Sequence, residues 1–237
     1  MIDYYKVPDG FYLEDNVLKE KPEHKEERLE KQAKALYKHY GFDMRNYDFN
    51  PRKYVGTKSV ESKNRLINYV KQFKENPEVK KLVVYMYGPN GCQKSTMASW
   101  VGKSLIREKY SVRYILMDSL IKLLERAERD TEARSDVDLL MKSDLLVIDE
   151  AFDKSKVKLF STGWQNSFID SFIRTRIQSE NKGILFISNV KPEDIETQGF
   201  SHSIQDFVQR ETENHKTLLT FEDNYLQNRQ SEPIVLF

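Results

Sequence analysis

Residues 82–96 read LVVYMYGPNGCQKST and join an apolar run, a glycine-containing turn and the start of a helical pattern. The run 82–87 has the length of a strand and is apolar enough to be buried on both faces of a parallel sheet. Strand, loop and helix in this order form a phosphate-binding P-loop, because backbone N–H groups and the helix N-terminus face an anion. The stretch therefore predicts an α/β domain that binds nucleotide phosphates.

The side chains of this loop have distinct expected roles. Lys94 is expected to reach the outer phosphates, and the Ser95 hydroxyl to bind Mg²⁺. Gln93 stands where the pattern G-x-x-x-x-G-K-[ST] has its last glycine, so we expect either a strained positive φ or a reshaped loop. The remaining nucleotide contacts are predicted at Gly88, Pro89, Asn90, Gly91, Cys92 and Thr96.

A second motif follows about fifty residues later and argues against an incidental turn. Four aliphatic residues, 145–148, end in Asp149 and Glu150, so a buried strand would deliver two carboxylates at its carboxyl end. Asp149 is expected to hold Mg²⁺, and Glu150 to polarise the attacking water. The run 184–188 ends at Asn189, whose amide can position the same water; a turn-forming asparagine is the alternative. ATP with Mg²⁺ is the predicted cofactor pair.

Composition limits the remaining possibilities. The 237 residues include 38 basic and 37 acidic side chains, so nucleic-acid binding would need a local patch. A single cysteine excludes an intrachain disulfide and a multi-cysteine zinc site. No apolar run has the length of a membrane span, and the first residues do not resemble a signal peptide, so we expect a cytoplasmic protein without a membrane partner.

A boundary near residue 50 separates a small helical N-terminal appendage, 1–50, from an ATPase domain, 51–237. The appendage contains one apolar helical stripe that Gly41 ends. Its members are Leu29, Ala33, Leu36, Tyr37 and Tyr40. The stripe predicts either a helix that docks on a partner protein, with Leu36 and Tyr37 among its anchors, or a helix packed on its own domain.

In the main domain, helical and strand patterns alternate, which predicts a parallel five-stranded sheet with helices on both faces. The predicted strands are 82–87, 112–116, 145–148, 184–188 and 216–221. The apolar ending 233–237 has three readings: an edge strand, a tail that docks on the chain itself, or a hook for a partner.

Residues 54–221 resemble AAA+ ATPases, and within them the helicase loaders of the DnaC and DnaI type and their IstB-type transposon relatives. The resemblance rests on GPNGCQKST, SVRYILMDSLIKLLERAERD, SDLLVIDEA, residues 164–176 and ILFISNV. It implies self-association with ATP between subunits, where an Arg of one subunit reaches the γ-phosphate held by the next. Arg210 matches that position, and Arg176 is the second choice. With Lys94, Glu150 and Asn189, Arg210 completes the predicted catalytic set.

The resemblance implies an ATP-dependent loader that binds a hexameric replicative helicase and helps place it on single-stranded DNA. Lys122, Arg126 and Arg129 are the candidate DNA contacts, with an ordinary salt-bridged surface as the alternative. An IstB-like transposition helper and a non-hydrolysing P-loop scaffold are the competing functions. The small size and divergent N-terminus favour a phage or mobile-element source.

Overall fold

The computed structural model describes residues 7–15, 17–54, 57–158 and 163–223. Two short strands, β1 (Phe11–Glu14) and β2 (Val17–Glu20), pair as an antiparallel hairpin. The five strands that follow are β3 (Val83–Tyr87), β4 (Val112–Leu116), β5 (Leu145–Asp149), β6 (Gly183–Ser188) and β7 (Leu218–Thr220). They form one parallel sheet in the order β4-β5-β6-β3-β7, which confirms the predicted five-stranded parallel sheet.

Seven α-helices accompany these strands in the described ranges. They are α1 (Pro22–His39), α2 (Val60–Glu75), α3 (Lys94–Arg107), α4 (Met117–Ala127), α5 (Thr131–Lys142), α6 (Trp164–Arg174) and α7 (His202–Asn214). A π-helical turn, Thr175–Ser179, extends α6. No helix in the described ranges has both the length and the apolar composition that crossing a bilayer requires.

The sheet separates two apolar cores because successive side chains of each strand point to opposite faces. On β3, Val84 and Met86 belong to the core with α1, α2 and α3, whereas Val83 and Tyr85 belong to the core with α4, α6 and α7. Burial on both faces explains why these strands are continuous apolar runs. The prediction of helices on both faces is confirmed.

One side of α1 packs against the P-loop helix α3. Tyr37 is fully buried, and its ring stacks on Phe42 at a centroid distance of 4.7 Å. Phe42 in turn covers Gly102 of α3, where an added Cβ would lie 2.3 Å from the Phe42 ring. Tyr37 therefore belongs to the core, and its predicted role as a docking anchor is wrong. Leu29 and Leu36 remain 42% and 40% exposed and line a groove between α1 and the end of α3.

Two described elements were not predicted from the sequence. The hairpin β1–β2 leaves Leu13, Val17 and Leu18 exposed, so its pattern lacks the alternation of a strand with one buried face. Helix α5 buries only Ala133 and Leu140 and therefore has a weak apolar stripe. The boundary near residue 50 stays a prediction, and the predicted apolar tail 233–237 lies outside the described residues.

Candidate functional site

A cleft opens where the carboxyl ends of the central strands β3, β5 and β6 meet. The motif residues that line it are Asn90, Gly91, Cys92, Gln93, Lys94, Ser95, Thr96, Asp149, Glu150 and Asn189. Three further lining residues were not singled out from the sequence, namely Lys156, Ile187 and Ser188. The strand ends bring together residues from separate parts of the chain, as expected for ligand sites in open parallel sheets.

The P-loop keeps its turn although glycine is missing at position 93. Gln93 lies in the left-handed region with φ 60° and ψ 20°, so the strained alternative describes the loop. Gly91 has φ 83°, which glycine adopts without cost. Gly88 approaches the backbone of Phe221 so closely that a Cβ would lie 1.9 Å from its carbonyl oxygen. Helix α3 therefore begins at Lys94 with its N-terminus facing the cleft.

The Lys94 ammonium connects the two ends of this loop with the end of β6. Its Nζ donates to the carbonyl oxygens of Gly88 at 2.6 Å and Pro89 at 2.8 Å, and to Asn189 Oδ1 at 3.0 Å. Burial lowers the pKa of Lys94. Gly88 and Pro89 thus contribute carbonyl groups to the lysine, whereas residues 90–96 line the cleft.

Asp149 and Glu150, the acid pair, lie at the end of β5, and their side chains differ in exposure to solvent. Asp149 is buried and accepts a hydrogen bond from the Glu150 backbone N–H at Oδ1, 2.7 Å away. Its Oδ2 accepts a hydrogen bond from the Tyr114 hydroxyl of β4. Glu150 has φ 53° and a half-exposed side chain whose Oε1 lies 3.8 Å from Lys156 Nζ. The buried carboxylate is held by two donors, while the second carboxylate faces the cleft.

Asn189 is bonded to the P-loop as well as lying at a strand end. Its Nδ2 donates to Asn90 Oδ1 at 3.0 Å, and its Oδ1 accepts from Lys94. The preceding Ser188 hydroxyl donates to the Ala151 carbonyl at 2.6 Å and accepts from the Val190 N–H at 2.9 Å. These bonds hold the Asn189 amide at the cleft, where it can contact a bound ligand.

The predicted arginines occupy two contrasting places. Arg210 is exposed on α7, with its guanidinium 5.7 Å from the Phe207 ring, and does not line the cleft of its own chain. Arg176 is completely buried and donates to the carbonyl oxygens of Leu140, Met141, Ser143 and Gly183 at 2.6–3.2 Å. Arg176 is therefore a structural residue, and its predicted role in sensing nucleotide or an interface is wrong.

The residues of the cleft fit a magnesium nucleotide. Ser95 and Asp149 both line it and supply the oxygen ligands that Mg²⁺ prefers. Across the described ranges, no cluster of three or more His, Cys, Asp or Glu side chains could hold a metal by itself. A metal in this cleft would therefore share its coordination with phosphate oxygens, which is the usual arrangement for Mg²⁺ in nucleotide sites.

A family model described as IstB-like ATP binding protein matches residues 11–160. This match covers more than half of the chain and includes both the P-loop and the acid pair. No curated protein matches the chain.

Solved structures are similar at the level of the fold. AMPPCP-bound DnaA from Aquifex aeolicus matches with 16% identity and a TM-score of 0.56 over 82% of this chain and 58% of that chain. The DnaC helicase loader matches with 17% identity and a TM-score of 0.56 over 76% of this chain and 99% of that chain. DnaI matches with 15% identity and a TM-score of 0.58 over 77% and 94%, respectively. The predicted AAA+ fold is confirmed.

Proposed function

The chain belongs to the family of IstB-like ATP-binding proteins, and we propose that it is an ATP-dependent loader of a hexameric replicative DNA helicase. The observation that carries the proposal is the cleft in which Lys94, Glu150 and Asn189 meet at one sheet edge. The similarity to the DnaC helicase loader over 99% of that chain supports the choice of loader. In this proposal, ATP binding sets an assembly in the cytoplasm, and hydrolysis releases it.

Each side chain of the cleft has one proposed task in ATP hydrolysis. Lys94 places its positive charge at the outer phosphates, where negative charge develops during transfer. Ser95 and Asp149 would hold Mg²⁺, which would supply further stabilisation of negative charge. Glu150 orients the attacking water and accepts its proton, and Asn189 positions the same water. Glu150 lines the cleft with a half-exposed side chain, which water can reach.

Arg210 is proposed to act on the nucleotide of a neighbouring subunit. Its exposed position on α7 lets it reach outward, and a cation aimed at the transferred phosphoryl group contributes about 10³-fold or more in related P-loop enzymes. Arg210→Ala should therefore leave ATP binding by the isolated chain unchanged and lower hydrolysis by assemblies.

A mixing experiment tests this shared site. Arg210→Ala and Lys94→Ala should each be inactive alone, but a mixed assembly contains interfaces with one intact Lys94 and one intact Arg210. Partial recovery of hydrolysis on mixing supports the role. A mixture that co-assembles, by size-exclusion chromatography, without recovery would make Arg210 a surface residue.

The helicase contact is proposed at the groove between α1 and the end of α3, where Leu29 and Leu36 are exposed. The test uses the full chain, because Tyr37 ties α1 to the main core. Immobilised protein should capture the purified replicative helicase of its host, and Leu36→Glu should abolish capture. Ile67→Glu is the matched control, since Ile67 is 37% exposed on α2. Equal capture by both variants would place the contact elsewhere.

Single-stranded DNA contact is proposed at the basic residues of α4 and the turn after it. Lys122 Nζ lies 2.5 Å from Asp118 Oδ2, and Arg126 Nη2 lies 2.9 Å from Asp130 Oδ2. These pairs match the salt-bridged alternative, so a phosphate would have to replace the carboxylates, whereas exposed Arg129 forms no ion pair with a described side chain. Arg129→Glu should weaken binding of an oligothymidine probe in an anisotropy titration and flatten its salt dependence.

The family match favours a transposition helper as the second candidate function. Such a protein would bind duplex DNA through the same AAA+ domain and would not capture the helicase. Duplex binding without helicase capture would therefore select this function. The non-hydrolysing scaffold predicts nucleotide binding without turnover, so a steady-state assay with labelled ATP separates it from the other two.

A further inference from the structure

Tyr114 lies where the edge strand β4 approaches the acid pair, and the sequence predicted no role for it. Its hydroxyl donates to Oδ2 of Asp149, and its partly buried phenol ring packs against the core. The other carboxylate oxygen of Asp149 accepts from the Glu150 N–H at 2.7 Å. The two donors thus fix both the position and the rotation of the carboxylate at the end of β5. Without the Tyr114 hydroxyl, Oδ2 would lose its donor, and the Asp149 carboxylate would be free to rotate about its side-chain bond.

The backbone and ring of Tyr114 are joined to the residues that follow α1. The Tyr114 N–H donates to the Tyr40 carbonyl at 2.8 Å, on the side of β4 that faces away from β5. The Phe42 ring packs on the Tyr114 ring at a centroid distance of 5.2 Å. Gly41 lies so close that a Cβ there would be 2.5 Å from the Tyr114 carbonyl oxygen. The turn 40–42 is therefore packed directly on the residue that holds Asp149.

We propose that Tyr114 is a positioning residue for Asp149, and that it couples the turn at the end of α1 to metal binding in the cleft. The inference rests on the proposed function, because it takes Asp149 as a ligand of Mg²⁺. Donors that orient a metal-binding carboxylate commonly contribute about tenfold or more to metal affinity. A displacement of the turn 40–42 would move β4 at Tyr114 and reach Asp149 through one hydrogen bond. A partner that binds in the groove between α1 and α3 would thereby influence metal binding.

The first test removes only the hydroxyl. Tyr114→Phe keeps the ring on Phe42 and the backbone bond to Tyr40, but it leaves Asp149 Oδ2 without this donor. Mn²⁺ is the probe, and its binding to the ADP-saturated protein is followed by electron paramagnetic resonance. We expect Mn²⁺ affinity to fall by about tenfold, while ADP affinity measured in EDTA stays the same.

Tyr37→Phe is the matched control for this experiment. It also removes a buried hydroxyl from the same aromatic cluster, one that donates to the Asp43 carbonyl at 3.3 Å, but it does not touch Asp149. Its Mn²⁺ affinity should equal that of the unmodified protein. Equal Mn²⁺ affinity of Tyr114→Phe and the unmodified protein would overturn the proposal. Equal losses in both tyrosine variants would show a general packing effect and would also overturn it.

The second test displaces the turn. Gly41→Ala introduces a Cβ against the Tyr114 carbonyl at a residue whose φ is +92°. We expect it to weaken Mn²⁺ binding in a protein that is still folded by circular dichroism. Combining it with Tyr114→Phe should add little further loss, because both changes act through the same hydrogen bond. Fully additive losses, or normal Mn²⁺ affinity in Gly41→Ala, would overturn the coupling.

These outcomes are separable from a failure of the proposed ATPase. If Lys94→Ala binds ADP as the unmodified protein does, the nucleotide site itself is misassigned. If Lys94→Ala loses ADP and Tyr114→Phe keeps normal Mn²⁺ affinity, only the inference about Tyr114 fails.

Discussion

Lys94 and Arg176 are both buried cations that donate mainly to backbone carbonyls, yet they lie at opposite ends of the sheet. Lys94 is at the carboxyl end, where it lines an open cleft beside a helix N-terminus. Arg176 is at the amino end of β5 and β6, where its donors reach the last carbonyls of α5 and the first residue of β6. Burial lowers the pKa of both side chains, that of Arg176 to about 9.

The comparison shows that burial and bonding alone do not identify a functional cation. Both side chains would be selected by a search for buried charges with shifted pKa values. What separates them is the surroundings: Lys94 borders space that a ligand can enter, whereas Arg176 is enclosed by carbonyl groups that end a helix. The carboxyl end of the sheet should therefore govern chemistry, and the amino end should govern stability.

The largest expected effects come from replacing each of the two cations by a neutral residue. Arg176→Met leaves four buried carbonyl groups without this donor and should lower the free energy of unfolding by about 3–5 kcal/mol. Lys94→Ala should change stability by about 1 kcal/mol or less, because its carbonyl partners lie beside a cleft that water can enter, but it should abolish binding of labelled ATP. Chemical denaturation and filter binding measure the two quantities, with exposed Arg45→Met as the control. A stable Arg176→Met protein that fails to bind ATP would reverse the comparison.

Glu150→Gln tests the division of roles within the carboxyl end itself. The variant keeps the size of the side chain and the P-loop but cannot accept a proton, so hydrolysis should fall about 10²- to 10³-fold. ATP affinity should stay unchanged. Glu193→Gln, an exposed carboxylate beyond the end of β6, is the control and should leave turnover unaffected. Unaltered hydrolysis in Glu150→Gln would remove its proposed catalytic role.

Asp223 is an exception to this division, because it follows the carboxyl end of β7 but holds another segment of the fold in place. Its carboxylate accepts from the N–H groups of Thr57, Lys58 and Ser59 at 2.8–3.1 Å, at the start of α2. Asp223→Asn should lower the free energy of unfolding by about 1–2 kcal/mol without changing ATP affinity. A change in ATP affinity would show that Asp223 contributes to the nucleotide site.

The pH dependence of that effect has a defined sign. Burial raises the pKa of Asp223, but the N–H donors, led by Lys58, outweigh it, so its pKa lies below the ordinary 3.8. The stabilisation is therefore complete above about pH 4 to 5 and is lost as pH falls through the lowered pKa. The stability difference between Asp223→Asn and the unmodified protein should shrink below about pH 4. A stability difference that stays constant down to pH 3 would contradict the role of the ionised Asp223 carboxylate as the acceptor at the start of α2.

The smallest expected effect is at Gln93. Its positive φ belongs to the folded loop, so relief of strain should raise stability more than affinity. Gln93→Gly should increase the free energy of unfolding by about 0.5–1 kcal/mol, the left-handed strain less the added chain entropy. Calorimetric ATP affinity should stay the same. A weaker affinity would show that the Gln93 side chain has a contact of its own with nucleotide.

The sequence by itself determined the sheet and the positions of the motif residues, because these depend on local signals. Apolar runs that end in polar residues predicted all five strands of the parallel sheet, and the residues Lys94, Asp149 and Asn189 follow three of them. Parallel strands place their carboxyl ends at one edge, so consecutive motifs meet there without any knowledge of individual contacts. At Gln93 the sequence left two alternatives, a strained positive φ and a reshaped loop, and the structure has the strained one.

Only the tertiary structure decided which of the other polar and aromatic residues hold that site and which hold the fold. Arg176 bonds to carbonyl groups about 35 residues away, Tyr114 bonds to Asp149, and Asp223 bonds to N–H groups about 165 residues away. Backbone groups and the hydroxyl of a strand tyrosine carry no sequence signature, so these partners become visible only when packing brings distant segments together. The burial of Tyr37 was also decided by the tertiary structure. The apolar stripe of α1 predicted a covered side, but only the packing on α3 shows that this side includes Tyr37.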